Sequence, residues 1–412
     1  MRFIISLAAL LLSIILLQLS SGAMGPLDAL SALELNFTTQ QIGMLGSAHF
    51  FGFFIGCWWA PRLMGSIGHS RAFAAFAALG AIGILMHMMI VNPYAWALMR
   101  VASGLCVAGC YTIIEAWLNA KTDNANRGRT MGTYRVADMG ASMVAQLFIA
   151  ILPPAEYVSY NLLAIFCCAS LLPLTLSTAK QPATPSIQRL RPRLALLCSP
   201  LAVAGVMAAA LTSASFRMVG PLYAEGVGLA RDQIAYFMAA FVLGGALAQI
   251  PVGWIADKYD RRWVLIGLSV AAVIASGTTI LAAGAGTTGI MLGSFFFGLV
   301  SFPIFSVSAA HANDFATSEQ RVELSAALMF FYAMGAIAGP MVASGLIAAF
   351  GTWALFAFLA LGHIALIAYS LARMSIRSTV EDRTPYVYTP RSSFTIGRLL
   401  GRMRDEKPRG SD

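Results

Sequence analysis

The chain has 412 residues, of which 58% are hydrophobic and 11% charged, with 27 basic and 18 acidic side chains and a formal net charge of +9. A soluble domain carries roughly a quarter charged residues, so a chain of mean hydropathy +0.74 cannot cover a globular surface and must turn most of its exterior to lipid. The basic excess excludes neither charge class by itself, but the Lys and Arg residues are spread between apolar runs rather than gathered in one patch, which argues against a nucleic-acid partner.

In chain order the apolar runs cover roughly residues 3–27, 42–59, 72–90, 96–117, 131–152 and 157–176. After a polar stretch come 194–219, 233–256, 264–283, 288–310, 324–349 and 353–371. Most are near the about 17–25 residues that cross the hydrocarbon core as a helix. They are continuous rather than alternating, which excludes spanning strands. The first run, behind Arg2 and ahead of Ser20-Ser21-Gly22-Ala23, has the outline of a signal peptide. Its apolar stretch exceeds the about 7–15 residues of a signal core, and it opens a series, so we expect an uncleaved first helix.

With the N-terminus inside, every Lys and Arg falls on the inner side except Arg231 in an outer loop and Arg100, Arg135 and Arg217 within spans. That bias supports twelve spans with both termini cytoplasmic. Residues 177–193 form the longest polar gap between spans, contain Pro182, Pro185 and Pro192, and read as a cytoplasmic linker between bundles at 1–176 and 194–372. The tail, 373–412, is polar and rich in charge and Pro, and is expected to be disordered. Within it Phe394, Ile396, Leu399, Leu400 and Met403 interleave with Arg398, Arg402 and Arg404, which fits either a short surface helix or a solvated tail.

The halves repeat one another. Gly25-Pro26-Leu27 recurs as Gly220-Pro221-Leu222; a near-constant offset pairs Gln41-Ile42 with Gln233-Ile234, Gly52 with Gly244, Gly104-Leu105 with Gly298-Leu299, Asn119 with Asn313 and Arg127 with Arg321. Parallel repeats of six spans place a site near the midplane between them. The expected fold is an all-α polytopic membrane protein of two pseudo-symmetric six-helix bundles.

Between spans eight and nine lies Gly253-Trp254-Ile255-Ala256-Asp257-Lys258-Tyr259-Asp260-Arg261-Arg262. It resembles the G-x-x-x-D-[RK]-x-G-[RK]-[RK] signature of the major facilitator superfamily, with Asp260 in place of the last glycine. We expect Gly253 to permit close helix packing and Asp257 to accept hydrogen bonds at a helix N-terminus, with Lys258, Arg261 and Arg262 at the inner surface. The equivalent place in the first half, Pro61 to Arg71, has Gly65 where the aspartate belongs, so a carboxylate latch is expected in the second half alone, against the start of span five near Arg129 to Arg135. Gly68-His69-Ser70-Arg71-Ala72-Phe73, then Trp96, Arg100, Gly104, Glu115-Ala116-Trp117-Leu118-Asn119, Arg127-Gly128-Arg129 and Tyr134 resemble the YcaD-like bacterial members of that superfamily, Ala116 replacing the commoner Ser. The resemblance implies an inner-membrane permease and supplies no substrate.

Charges inside spans are costly and face the protein interior or a water-filled cavity. Arg100 resembles the arginine of the R-x-x-x-G stretch associated with proton coupling in some family members; its other reading is a snorkelling side chain. Glu115, Arg135 and Asp138 reach similar depths, the last two at i,i+3 on one face, as a switching network or a static ion pair. Arg217 is a candidate for binding an anionic substrate group, or else snorkels or pairs with Asp28 at the matching end of span one. Asp28 is a candidate proton site or a surface carboxylate. His49, His87 and His311 read as packed histidines able to titrate, and Thr38 with Gln41 as a capping box opening span two. Gly335 to Pro340 allows a bend in span eleven; span five lacks the proline that typifies many drug–proton antiporters. The six cysteines read as packing residues. No metal site, cofactor, P-loop or catalytic constellation is legible. The sequence thus predicts a monomeric secondary transporter of a small solute, coupled to protons; a transporter-like sensor or scaffold signalling through its tail is the alternative.

Overall fold

The structure, a computed structural model, describes residues 2–121, 127–176, 190–284, 286–317, 319–376, 383–387 and 392. Its first half comprises α1 (Arg2–Glu34), α2 (Thr39–Ile67), α3 (His69–Met89), α4 (Pro93–Lys121), α5 (Arg127–Leu147), α6 (Tyr157–Ala169) and the short α7 (Leu172–Thr175). The second comprises α8 (Pro192–Cys198), α9 (Pro200–Gly226), α10 (Arg231–Lys258), α11 (Arg261–Ala282), α12 (Thr287–Ser301), α13 (Pro303–Asn313), α14 (Arg321–Phe350) and α15 (Ala354–Met374). Most of the linker expected at 177–193 lies outside the described residues, as does the predicted surface helix of the tail.

Among the described residues, eleven helices are long and apolar enough to cross a membrane, α6 continuing through α7 and α12 through α13. The twelfth, α5, packs between α1 and α10. It is too polar to be found by hydropathy because its sequence carries Arg127, Arg129, Arg135, Asp138 and Gln146. Side chains such as Leu98, Ile250 and Leu281, each at least 72% exposed, have no aqueous rationale and mark the lipid-facing belt.

One boundary differs from the sequence reading. The apolar run at 194–219 is broken: α8 ends at Cys198, and Ser199 restarts the chain as α9, its hydroxyl accepting the Ala202 N–H at 3.0 Å with Pro200 in the first turn. A serine cap ahead of a proline that needs no N–H partner is a strong start signal, and hydropathy does not register it. The predicted box at α2 is present, with Thr38 N–H donating to Gln41 Oε1 at 2.8 Å and Gln41 N–H to Thr38 Oγ1 at 3.3 Å.

The repeat is visible in packing. A Cβ on Gly52 would stand 2.0 Å from Val101 O, and one on Gly104 1.9 Å from His49 O, so α2 and α4 touch backbone to backbone. The aligned glycines repeat the arrangement: Gly244 against Phe295 O at 2.1 Å and Gly298 against Phe241 O at 2.0 Å bring α10 onto α12. Small residues at crossings are what membrane helices need, since lipid removes the hydrophobic drive for association.

The halves meet closely at the end of the molecule that carries the α1–α2 and α9–α10 connections. Gly43 lies against Ser344 and Pro340, Ser47 Oγ donates to Ile337 O at 2.6 Å, and Glu34 pairs with Arg231 at 3.6 Å. Nearer the middle, Phe54 meets Phe330 edge-on at 5.7 Å.

Candidate functional site

Between the halves lies a cavity of about 180 Å³. α1 contributes Gln18, Ser21 and Gly25; α2 contributes His49, Phe50 and Phe53; α4 contributes Arg100 and Tyr111; α5 contributes Asp138, Ser142 and Gln146. From the second half come Ser213 and Arg217 on α9, Phe302 beside α13 and Tyr332 on α14. The wall therefore mixes polar and charged groups with five aromatic rings, Phe50, Phe53, Tyr111, Phe302 and Tyr332, a lining that can orient a small polar solute.

A charged cluster stands behind this wall. Asp28, fully buried on α1, receives a hydrogen bond on Oδ1 from Tyr160 Oη at 3.0 Å. Its Oδ2 lies 3.5 Å from Arg100 Nε and 3.5 Å from His87 Nε2. Asp28 is thus not a surface carboxylate, and Arg100, 4% exposed, does not snorkel; α6, α3 and α4 enclose the pair. His87 Nδ1 is 2.7 Å from Gly83 O. A carbonyl can only accept, so Nδ1 carries a proton and a neutral His87 turns its Nε2 lone pair toward the carboxylate. One added proton converts that opposition into attraction. Trp96, with Nε1 donating to His87 O at 2.8 Å, and Tyr160, stacked on the imidazole at 5.4 Å, fix the ring.

The same place in the second half is uncharged. Gly220-Pro221-Leu222 is followed by Tyr223 where the first half has Asp28, and Ser294 stands four residues before Gly298 as Arg100 does before Gly104. Tyr223 Oη donates to Thr279 O at 3.1 Å and its ring meets Phe356 at 4.8 Å. Phe216, Phe237, Phe241 and Phe297 complete an apolar cluster. A framework built twice carries ionisable groups at this position once.

Farther along α4 from Arg100, Tyr111 Oη donates to Asp138 Oδ1 at 2.5 Å and lies 2.8 Å from Gln18 Oε1. Arg135 and Arg217 are the cations whose field reaches Asp138. Glu115, a turn inward of Tyr111, accepts from Tyr134 Oη at 3.2 Å, and Arg135 lies over the Tyr134 ring at 5.2 Å. Glu115, Arg135 and Asp138 therefore share one region, bridged by Tyr111 and Tyr134, two partners that spacing could not supply. Ser103 Oγ donates to Arg100 O at 2.9 Å and so accepts from His49 Nδ1 at 3.2 Å, which orients His49 at the cavity wall.

The signature loop departs from its expected roles. Asp257 sits in the last turn of α10, and Asp260 caps α11 instead, accepting the Arg262 N–H at 3.0 Å. Burial acts to raise the Asp260 carboxyl, but hydrogen bonds from the Arg262 side chain and backbone outweigh it and hold the group below its usual range. The substitution of aspartate for glycine thus supplies the cap. Asp257 is 3.4 Å from Arg261, and Gly253 is covered by the ring of Tyr386 rather than by another helix. Arg261, buried, pairs with Asp314 at 2.5 Å, and Lys258 lies over Trp254 at 5.0 Å. His87 and Tyr160, like Tyr111 and Tyr134, are residues that sequence reasoning did not assign to the site, because a histidine or tyrosine in an apolar run carries no sign of the group it faces.

A twelve-helix membrane fold with a central cavity between repeated halves defines a transporter rather than an enzyme. The family model described as Major Facilitator Superfamily matches residues 7–229 and 201–400, and the chain belongs to that family. It is 26% identical over 381 residues to an uncharacterized MFS-type transporter of Enterobacter sp. (strain 638), covering 92% of this chain and 97% of the relative. To the uncharacterized MFS-type transporter YcaD of Salmonella heidelberg (strain SL476) it is 27% identical over 386 residues, at 92% and 97% coverage. Among solved structures it is similar to an inward-facing, occupied bacterial homolog of the human lysosomal transporter Spinster, with TM-score 0.74 and 14% identity over 92% of this chain and 97% of that one. The nucleoside transporter NupG gives TM-score 0.72 at 14% identity, over 91% and 100%.

Proposed function

We propose that this protein is a proton-coupled secondary transporter that moves a small solute bearing an anionic group across a bacterial inner membrane by alternating access, working as a monomer with both termini cytoplasmic. The observation that carries the coupling is the Asp28–Arg100–His87 cluster, present in one half and replaced by Tyr223 and Ser294 in the other. Buried charge without catalysis is expensive and is kept where it does work. Protonation between Asp28 and His87 weakens the hold of Asp28 on Arg100, and the guanidinium, which also lines the cavity, is then available to a solute. Arg217 faces the same cavity from the other half. A solute drawing on both arginines couples the two bundles, as rocking about a midplane site requires. Asp138, through Tyr111, is the second carboxylate within reach of the solute.

The test is proton movement in proteoliposomes under an imposed pH gradient, with a panel of organic acids, amino acids, sugars and cationic drugs. A pH change on adding an organic acid, absent in Arg100→Ala, is the expected result. A response to sugars or cations alone overturns the anion assignment, and solute counterflow with no proton movement overturns the coupling.

A further inference from the structure

α5 turns one polar face to the central cavity. Asp138, Ser142 and Gln146 stand at i, i+4 and i+8, and all three line it. Ser142 is 4% exposed and Gln146 2%. Gln146 Nε2 donates to Gly22 O at 3.0 Å and to Ser142 O at 3.3 Å. Both partners are carbonyls and can only accept, so the amide has one orientation and its Oε1 is turned from them. That oxygen has no hydrogen-bond partner among the described residues, and neither has Ser142 Oγ. Tyr111 holds Asp138 on Oδ1, and among the described residues no hydrogen bond reaches Oδ2. Buried polar atoms are nearly always paired, and leaving one unpaired is costly. Three open acceptors on one face of one helix point to a donor that completes them.

The second half lacks this face. The offset that pairs Arg127 with Arg321 sets Tyr332, Ala336 and Pro340 of α14 against Asp138, Ser142 and Gln146. The repeated framework therefore folds without the three acceptors, which leaves the cavity as the reason for them. The arginines stand close by. Gly22 holds Gln146 on its carbonyl, and a turn farther along α1 a Cβ on Gly25 would lie 3.8 Å from Arg100 Nη2 and 3.9 Å from Arg217 O. Residues three apart on a helix are separated by about 4.5 Å along its axis. The acceptor face and the two arginines thus border the same small volume.

We infer that the solute is amphoteric, a small amino acid whose carboxylate takes Arg100 and Arg217 and whose protonated amine is received by Asp138, Ser142 and Gln146. An ammonium brings three N–H donors and no acceptor, one donor for each of the three residues, and its charge answers that of Asp138. A hydroxyl brings one donor and no charge; a trimethylated amine brings charge and no donor. The carboxylate half of this assignment rests on the anionic-solute reading, and the amine half rests on α5.

The test is equilibrium binding to the purified full chain in detergent, read as the rise of its thermal midpoint with ligand concentration. It needs no transport. L-Alanine, L-leucine and L-phenylalanine are each titrated beside three analogues: the acid without its amine, the N,N,N-trimethyl betaine and the methyl ester. At least one amino acid should bind about tenfold or more tighter than its des-amino acid and its betaine, the loss expected for hydrogen bonds to a charged group. Ser142→Ala should lower affinity for that amino acid by about tenfold and leave affinity for the des-amino acid unchanged, a difference that a merely structural defect would not produce. The comparison in the parent protein needs no variant. Equal binding of each amino acid and its des-amino acid, or an equal loss for both in Ser142→Ala, overturns the amine site and leaves the anion reading standing. A methyl ester that binds as tightly as its amino acid overturns the anion reading and leaves the amine site standing. No binding of any of the three amino acids to the folded protein overturns the inference.

Discussion

Buried ionisable residues in a membrane protein are constrained from both sides: they are costly unpaired and useful only if the pairing can change. Asp28 has three neighbours that respond to its charge, Arg100, His87 and Tyr160. Arg100→Ala leaves a carboxylate buried without its cation. It should lower stability in detergent by about 3–5 kcal/mol, read as a drop in melting temperature. The double variant Asp28→Asn/Arg100→Gln should recover part of that loss, since neither charge is then orphaned. Additive losses would show that the two side chains do not interact. His87→Gln keeps a polar side chain but cannot accept a proton, so solute counterflow should persist while proton-driven accumulation falls to background. Accumulation equal to the parent would remove His87 from the coupling site. Arg100, Asp28, Asp138 and Arg217 were legible in the sequence because a charge in an apolar run stands out. His87 was not, because a histidine in a membrane helix looks the same whether it faces a backbone carbonyl or a carboxylate.

At the scale of helices, backbone contact decides. Gly52→Val should separate α2 from α4, since even a Cβ meets Val101 O at 2.0 Å, and the aligned Gly244→Val should do the same to α10 and α12. Both should abolish a monodisperse peak in size-exclusion chromatography. Gly132→Ala, with nothing within 4 Å of the added carbon, should instead stabilise by about 0.5–1 kcal/mol, by lowering the entropy of the unfolded helix. The Asp260 cap has a pH signature. Its carboxyl is held below its ordinary 3.8, so the stability it adds is present above that value and is lost as pH falls through the lowered one. Asp260→Ala should cost about 1 kcal/mol at neutral pH, and less in acid. A penalty independent of pH would show that the charge contributes nothing to the cap. The repeats and the Thr38–Gln41 box were readable from the chain because each depends on residues close in sequence or on a fixed offset. α5 was readable as a span and yet fails a hydropathy criterion, because Asp138 and Gln146 find partners in Tyr111 of α4 and the Gly22 carbonyl of α1 and not in lipid.

For the whole molecule, the halves are joined at one end by Gly43, Ser47 and the Glu34–Arg231 pair, and at the other Ser392 donates to Glu115. The exposed pair is worth about 0–1 kcal/mol, so Glu34→Gln should change transport little. Joining Glu34→Cys to Arg231→Cys with a cleavable bifunctional thiol reagent should stop it, and cleavage should restore it; transport through the cross-linked protein would show that this side need not open.

The sequence by itself determined the membrane fold and the family, because each follows from hydropathy or a motif, properties that belong to segments and survive without neighbours. The tertiary structure alone decided which intramembrane charges meet, which aspartate caps α11, and where Tyr386 and Ser392 lie. The charge pairs depend on side chains of different helices reaching one point, the cap on where α11 starts, and the Tyr386 contact on a glycine whose vacancy has meaning only once the ring that fills it is in place.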